Sequence, residues 1–341
     1  MKSLAFDDVL ILPKFSMIES RSLVNLNNTL HDLNLTLPII SSNMDTVTES
    51  SMAKTLAKSG AVGALHRFTS VENNVQMFQA SECNPIVSIG VGEDEFKRAV
   101  ALVEAGATKV LIDVAHGASI QTVKQYDRLR VTYPSLFIIV GNFATYESYG
   151  QFLSHSTSGF PPDALKIGIG GGSRCQTRIV TGAGLPTLAS LLDFRAKTKV
   201  KLIADGGIKN SGDIAKALAA GADYVMLGSL LSGTYETPGE IITQREEGNG
   251  TLSSVKVYRG SASRESYEAQ GKTADHRTPE GETTLVSYKG SVVDVLKTLE
   301  GGLRSALSYV GANGLQEFKE KAQLVEVSTS AHLESKPHSK G

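Results

Sequence analysis

The sequence predicts a (β/α)₈ barrel, the TIM-barrel class, from three observations. Eight short apolar runs recur along the chain, each followed by a polar or Gly-containing loop and then a helical stretch. The runs are nearly continuous in apolar residues, as is typical of parallel strands buried on both faces. The chain has 341 residues, which is enough for such a barrel. The alternative is a doubly wound open sheet, which usually has fewer strands and a GxGxxG loop after the first strand; the loop after Ser41 reads SNMDTVT instead.

The eight predicted strands follow one another at regular spacing. In chain order they are Leu37–Ser41, Ala61–Leu65, Ile86–Ile89, Lys109–Val114, Leu136–Val140, Leu165–Ile169, Lys201–Ala204 and Tyr224–Leu227. Helices are predicted between them. Glu93–Ala105 has one apolar side, begins with acids that suit the helix dipole, and stops at a glycine. Ser70–Ser81 and Ser211–Ala220 are predicted as helices in the same way, and Val292–Val310 as the final helix.

The regular pattern breaks after the eighth strand. Residues 233 to about 290 are rich in Thr, Glu, Gly and Ser, and residues 246–250 have the composition of a hairpin turn. A long insertion at this face of a barrel predicts an active-site flap, at about 234–290. We therefore expect one barrel domain over residues 1–330, with no inserted regulatory (CBS) modules, and a polar tail over 331–341. The chain is expected to fray from about Ser328.

Bulk composition excludes several classes of function. The net charge of −1 gives no basic excess for binding nucleic acid, and no apolar run approaches the roughly 20 residues that span a bilayer. The first 14 residues lack the pattern of a secretory signal. With two cysteines a disulfide framework is not expected. We therefore expect a cytoplasmic protein that has neither nucleic-acid nor membrane partners.

Glycine-rich loops follow the last three predicted strands. Residues 166–181 read KIGIGGGSRCQTRIVT, Asp205-Gly206-Gly207 follows the seventh strand, and Gly228-Ser229 follows the eighth. Glycines allow backbone N–H groups to approach a phosphate, and the loops after strands seven and eight commonly form a phosphate site in barrels. An Asp beside them can bind ribose hydroxyls. Each loop alone could be a plain tight turn, but together they predict a ribose-phosphate pocket.

Cys175 is the candidate nucleophile. It lies in a polar loop between Arg174 and Arg178, a setting that can stabilise a thiolate. Cys83, just before a strand, is interpreted as a small buried apolar residue instead. A protease is a weak alternative, because no His is clearly placed to pair with Cys175.

The segment GIGGGSRCQTR resembles the active-site loop shared by IMP dehydrogenases and GMP reductases, in which the Cys attacks purine C2. The resemblance extends over nearly the whole chain. Further matches are Phe6–Leu10, Asn43–Val47, Asp113–Gly117, Gly141-Asn142, Ala204–Gly207 and Gly301–Tyr309. Arg174 and Gln176 depart from the pattern, because the family usually has an apolar residue and Ile or Thr there. This departure leaves the identity of the purine substrate open.

The resemblance implies roles for individual residues. It implies a nucleotide phosphate at Ser173, Gly206, Gly207, Gly228 and Ser229, and a ribose at Asp205. The other substrate contacts that it implies are Met44, Gly260, Ser261 and Arg277. The nicotinamide cofactor is implied at Asp113, Asn142, Gly168 and Gly170, and a K⁺ ion at the backbone carbonyls of Gly170, Gly172 and Cys175. The family further implies a homotetramer.

Within the family, a GMP reductase of purine salvage is favoured. His66-Arg67-Phe68 leads through a single helix to the third strand, which leaves no room for the regulatory modules of most IMP dehydrogenases. The Arg-Tyr dipeptide that dehydrogenases use to activate water is absent; Arg264 and Tyr267 are the nearest substitute. Residues 275–281 (DHRTPEG), Asn43 and residues 308–312 also look like reductases. In that interpretation Thr177 and Glu280 form the acid–base pair.

Other features resemble dehydrogenases, namely residues 113–117, 205–209 and 228–239 and the C-terminal residues 334–338. The alternatives are therefore an IMP dehydrogenase without regulatory modules, a barrel that only binds purine nucleotides, and, more weakly, a flavin-dependent oxidoreductase. NADPH is the expected cofactor, or NAD for a dehydrogenase. The retention of Cys175, Thr177 and Glu280 argues against a barrel that only binds.

Overall fold

The structure, a computed structural model, describes residues 2–245, 251–263 and 278–334. Within them the strands are β1 (Val9–Ile11), β2 (Asn28–Leu30), β3 (Leu33–Leu35), β4 (Ile39–Ser41), β5 (Val62–Leu65), β6 (Ile86–Ile89), β7 (Lys109–Asp113), β8 (Phe137–Phe143), β9 (Ala164–Ile167), β10 (Lys201–Asp205), β11 (Tyr224–Leu227), β12 (Ile242–Arg245), β13 (Leu252–Arg259), β14 (Thr283–Ser287) and β15 (Leu324–Glu326). The helices are α1 (Ser50–Lys58), α2 (Val71–Ala80), α3 (Glu93–Glu104), α4 (Ile120–Thr132), α5 (Tyr146–His155), α6 (Thr177–Thr181), α7 (Thr187–Arg195), α8 (Ser211–Ala219), α9 (Val292–Val310), α10 (Leu315–Lys321) and α11 (Thr329–Glu334).

Strands β4 to β11 form a closed parallel barrel in chain order, with β11 paired to β4. This confirms the predicted fold class and all eight predicted strands. Three strand ends differ from the prediction by more than one residue, and the first is that of β4, which begins at Ile39 rather than Leu37. β9 stops at Ile167 because Gly168 turns the chain with a φ of +135°. β8 continues to Phe143, since Gly141 still pairs with Asp113 on β7.

Barrel strands are buried on both faces, which explains their continuous apolar sequence. One apolar cluster fills the barrel and includes Ile40, Ala64, Leu111 and Ile139. A larger cluster lies between the strands and the helices, where residues such as Val110 pack. The two clusters take alternate residues of each strand, as the pleat requires.

Helix α2 connects β5 directly to β6. Only residues 66–70 separate Leu65 from Val71, and the hydroxyl of Ser70 accepts a hydrogen bond from the N–H of Asn73 to cap the helix. This confirms the expected absence of an inserted module at this point. Helices α3, α8 and α9 also match their predictions to within one residue.

The predicted flap contains a three-stranded antiparallel sheet, β12-β13-β14. Arg245 pairs with Leu252 on either side of the predicted hairpin turn, and the turn itself lies outside the described residues. Arg259 pairs with Thr283, so residues 260–263 and 278–282 lie close together above the barrel. Residues Arg264, Tyr267 and Arg277 lie outside the described residues.

The fraying expected from about Ser328 stays a prediction, but the chain there forms a short helix that the sequence analysis did not predict. Strand β15 pairs with β1, and the N–H of Val327 donates to the carbonyl of Asp8. The hydroxyl of Ser328 then accepts from the N–H of Ala331 and so starts helix α11. The polar composition thus hid a short capped helix.

Candidate active site

Two adjoining cavities lie at the C-terminal ends of the barrel strands, with volumes of about 390 and 340 Å³. Cys175, Thr177 and Glu280 line the larger cavity, and the glycine loops after β10 and β11 line the smaller one. The residues that line both are Ser42, Met44, Gly171, Gly172, Ser173, Asp205, Met226 and Tyr258. The size and position of the combined space are typical of a ligand site in a barrel.

Nearly all of the residues that the sequence singles out meet at this space. The larger cavity is lined by Met44, Asp113, Asn142, Gly168, Gly170, Gly172, Ser173, Cys175, Thr177, Asp205, Gly260, Ser261 and Glu280. The smaller one adds Gly206, Gly207, Gly228 and Ser229. The remaining one, Arg277, lies outside the described residues.

Cys175, Thr177 and Glu280 form a hydrogen-bonded series. Sγ of Cys175 lies 3.1 Å from Oγ1 of Thr177, and that hydroxyl donates to Oε2 of Glu280 at 2.6 Å. A threonine hydroxyl has one proton, and while that proton is donated to Glu280 the hydroxyl can only accept from the thiol. The series can therefore carry a proton between the sulfur and the carboxylate.

The flap brings Glu280 to the cysteine loop through backbone hydrogen bonds. The N–H of Gln176 donates to the carbonyl of Glu280 at 2.7 Å, and the N–H of Glu282 donates to the carbonyl of Arg174 at 3.1 Å. Cys175 and Gly281 are thereby paired antiparallel. A Cβ on Gly281 would lie 3.0 Å from a backbone nitrogen, so glycine permits the close approach.

The interpretation that Arg174 and Arg178 stabilise the thiolate is not supported by contacts. Nη2 of Arg178 donates to the backbone carbonyl of Leu185 at 2.6 Å, and Nη1 of Arg174 lies 4.0 Å from the carboxylate of Glu282. No hydrogen bond within the described residues joins either guanidinium to the thiol. The partner of Sγ is Thr177 instead.

Lys166 lies between two carboxylates in the wall of the larger cavity. Its Nζ is 2.8 Å from Asp113 and 2.7 Å from Asp205. Burial alone would lower the pKa of Lys166, but the two carboxylates raise it above its usual value. Burial alone would raise the pKa of Asp113, but the charge of Lys166 and a hydrogen bond from Asn43 lower it. The amide of Asn142 also donates to Asp205, at 2.9 Å.

The smaller cavity combines glycine turns with hydroxyl groups. Gly206 and Gly207 have φ values of +90° and +82°, and a Cβ on Gly206 would lie 2.7 Å from the carbonyl carbon of Gly171. The hydroxyl of Tyr258 lies 3.4 Å from that of Ser173. Oγ of Ser42 is buried and has no hydrogen-bond partner. These donors converge where a polar ligand would satisfy them.

Sequence reasoning missed Lys166, Ser42 and Tyr258 as site residues. Lys166 had a detectable signal, because a lysine within an apolar strand needs acidic partners and two strands of the barrel end in Asp. Tyr258 lies on a flap strand whose register the sequence does not reveal. Ser42 had no signal beyond its place after a strand.

A closed barrel that carries a cysteine hydrogen-bonded to a threonine and a glutamate, beside a glycine-lined cavity, has the features of a nucleotide-binding enzyme. A family model described as the IMP dehydrogenase / GMP reductase domain matches residues 3–338. The chain belongs to this family, whose members are oxidoreductases that act on purine nucleotides and use nicotinamide cofactors.

The similar proteins include both IMP dehydrogenases and a GMP reductase. The inosine-5'-monophosphate dehydrogenase of Borreliella burgdorferi is 32% identical over 99% of this chain and 97% of the relative. That of Aquifex aeolicus is 40% identical over 74% of this chain and 51% of the relative. A crystal structure of a Cys-to-Ala variant of GMP reductase from Trypanosoma brucei, in complex with guanosine 5'-monophosphate, superposes with a TM-score of 0.88 at 27% identity. It covers 100% of this chain and 98% of that chain.

No helix within the described residues is both long and apolar enough to cross a membrane.

Proposed function

We propose that this chain is a GMP reductase, which converts GMP to IMP and ammonia with NADPH through a covalent bond between Cys175 and purine C2. The observation that carries the proposal is the series Cys175–Thr177–Glu280, with distances of 3.1 and 2.6 Å. A reductase must donate a proton to a leaving amine beside the sulfur. This series places a carboxyl group one hydroxyl away from that position.

The first half-reaction uses the three side chains in order. The thiol proton moves through Thr177 to Glu280, which leaves a thiolate on Cys175. The thiolate forms a bond to C2 of GMP, and the electron pair of the C2–N3 π bond moves onto N3. Glu280 returns its proton through Thr177 to the exocyclic amine. The C2–N bond then breaks and its electron pair leaves with ammonia, while the pair on N3 re-forms the C2–N3 π bond, so that C2 remains bonded to Sγ.

The second half-reaction removes the sulfur. When bound, the reduced nicotinamide supplies a hydride to C2. The C2–N3 π pair moves onto N3 as the hydride adds, and it re-forms the π bond as the C2–Sγ bond breaks. The electrons of the C2–Sγ bond stay on Cys175 as a thiolate, IMP is released, and one proton from solvent restores the thiol. In total, GMP, NADPH and one proton give IMP, NADP⁺ and ammonia. The residues that we assign to the cofactor, Asp113, Asn142, Gly168 and Gly170, line the same cavity as Cys175, which supports a position for the nicotinamide beside the sulfur.

The remaining site residues are assigned to parts of the nucleotide and to the cation. We assign the phosphate to Ser173, Gly206, Gly207, Gly228 and Ser229, the ribose to Asp205, and further nucleotide contacts to Met44, Gly260, Ser261 and Arg277. For K⁺ we assign the carbonyls of Gly170, Gly172 and Cys175. Backbone carbonyl oxygens are suitable ligands for K⁺. The carbonyl oxygen of Gly172 already accepts a hydrogen bond from the N–H of Cys175, and its second lone pair is free for the ion. The homotetramer and the division at residue 330 stay predictions.

An IMP dehydrogenase without regulatory modules is the second candidate. It is favoured by the names of the relatives at 32% and 40% identity. Such an enzyme would use the same covalent bond but would need an activated water, and Arg264 and Tyr267 are the residues to test for it.

A paired nicotinamide absorbance assay decides between the two. The purified enzyme is given GMP with NADPH, and separately IMP with NAD and potassium. Oxidation of NADPH with GMP alone is the expected result. Reduction of NAD with IMP alone would replace the proposal by the dehydrogenase. Nucleotide binding without turnover in either mixture would favour a barrel that only binds.

A further inference from the structure

A carboxylate contacts the side chains on both sides of the nucleophile. Nε2 of Gln176 donates a hydrogen bond to Oε1 of Glu282, and Nη1 of Arg174 lies 4.0 Å from Oε2 of the same carboxylate. We call Glu282 with these two partners the Glu282 clasp. Arg174 and Gln176 are also the two positions at which the cysteine loop departs from the pattern that it resembles.

The Glu282 clasp acts on the chain segment that carries Glu280. Residues 278–282, the returning limb of the flap, are joined to the cysteine loop by two backbone hydrogen bonds, at 2.7 and 3.1 Å. The N–H of Glu280 also donates to the carbonyl of Ala262 at 2.9 Å. The clasp adds a side-chain restraint at the same place, two residues from Glu280.

We propose that Glu282 is a positioning residue, which holds the returning limb so that the carboxylate of Glu280 stays within hydrogen-bond distance of Thr177. This proposal rests on the proposed function for the role of Glu280. The distance from Oγ1 of Thr177 to Oε2 of Glu280 is 2.6 Å, and proton transfer depends steeply on such a distance.

The exposure of the clasp indicates a local role rather than a global one. The side chains of Arg174 and Glu282 are 32% and 52% exposed. Ion pairs with this exposure contribute little to the stability of a whole protein. Nε of Arg174 is nevertheless buried without a partner, and its guanidinium lies 6.0 Å above the ring of Tyr258. The clasp therefore joins the limb to the wall of the cavity.

The first test measures amide hydrogen exchange in the intact protein, which needs no turnover. Glu282→Ala is compared with Glu320→Ala, in which an exposed glutamate on α10 loses a similar hydrogen bond from Gln316. We expect peptides that contain Gln176, Glu280 and Glu282 to exchange about tenfold faster in Glu282→Ala and at the wild-type rate in Glu320→Ala. Unchanged exchange in Glu282→Ala would overturn the proposal.

The second test asks whether Glu282 acts through Glu280. Glu282→Ala is expected to lower kcat about tenfold with KM for the nucleotide within twofold, and to lower it less than twofold when Glu280 is already Gln. A tenfold loss in both backgrounds would show that Glu282 acts independently and would overturn the proposal. Gln176→Ala, which keeps the carboxylate, should give a smaller loss in the same direction, and it provides the test if Glu282→Ala does not fold.

Failure of the two proposals is distinguishable. A wild-type protein that turns over neither nucleotide would overturn the proposed function. Faster exchange of the limb in Glu282→Ala would then still show the restraint, but its link to catalysis through Glu280 would be overturned.

Discussion

The two sides of the larger cavity are built in different ways. On one side, Asp113, Lys166 and Asp205 lie on barrel strands and form a continuous ion-paired series. On the other, Cys175 and Glu280 lie on a loop and a flap limb that are joined by a few hydrogen bonds. Groups that bind a ligand gain from a rigid support, whereas groups that exchange protons and bonds with it must reposition between steps. The contrast predicts that substitutions on the strand side change stability and those on the loop side change turnover.

The largest expected effect is on the loop side. Cys175→Ala should lower turnover below about one thousandth of wild type, because the covalent step is lost, while the affinity for GMP changes less than about threefold. Steady-state kinetics and calorimetric titration measure the two quantities. Cys83→Ala, at the only other cysteine, is the control and should keep its activity. Residual turnover above one thousandth would contradict the covalent mechanism.

On the strand side, Lys166→Met should lower the free energy of unfolding by about 3 kcal/mol at pH 7.5, since two half-buried carboxylates lose the buried cation between them. In the wild type the pKa of Asp113 is lowered, so its stabilisation is present above the unfolded pKa and is lost as the pH falls through the folded pKa. In the variant that pKa rises, and folded Asp113 takes up protons at a higher pH. The deficit should therefore be smaller at pH 5.5.

Chemical denaturation at the two pH values measures this deficit. Lys201→Met, at a lysine of β10 whose Nζ donates to a backbone carbonyl at 3.2 Å, is the control and should change stability by less than about 1 kcal/mol. An equal deficit at both pH values would contradict the role given to Asp113.

Glu280→Gln tests the series Cys175–Thr177–Glu280 and is expected to reduce turnover less than Cys175→Ala does. We expect kcat to fall about a hundredfold, because the amide cannot carry a proton to the leaving amine. Single-turnover measurements should show that ammonia release slows more than hydride transfer. Equal slowing of the two steps would remove Glu280 from the proton series.

The smallest effect is expected in the glycine-lined cavity. Gly206→Ala places a Cβ 2.7 Å from a backbone carbon at a φ of +90°, so KM for GMP should rise about tenfold. Gly150→Ala is the matched control, because it lies inside α5 with open space around its Cβ position. It should raise the free energy of unfolding by about 0.5–1 kcal/mol and leave KM unchanged. Equal effects on KM would contradict the phosphate assignment.

The difference between the barrel strands and the loop contacts also explains which features the sequence could predict and which it could not. Barrel strands are recognisable because both faces are buried, so that β6 and β11 match their predicted bounds. The cysteine loop was recognisable from its glycines. Lys166 was missed because its two partners lie on other strands, and a run of apolar residues does not show which of them faces the cavity.

The contact between the loop and the flap limb was the hardest to predict. Gln176 and Glu282 are separated by 106 positions, and the residues between them include two barrel strands, β10 and β11, and two strands of the flap sheet, β12 and β13. The resemblance gave Glu280 a role but said nothing of Glu282. The short helix α11 was missed for a different reason, since a polar tail and a capped helix end share the same residue types.

The position of Lys166 has a thermodynamic consequence for two ligands. One ammonium group is shared between Asp113, which we assign to the cofactor, and Asp205, which we assign to the ribose. A ligand that moves one carboxylate away from Lys166 strengthens the attraction between the ammonium group and the other carboxylate. The two binding events are then linked, and by reciprocity each must change the affinity of the other by the same factor. The affinity for GMP, measured with and without bound cofactor, gives that factor directly.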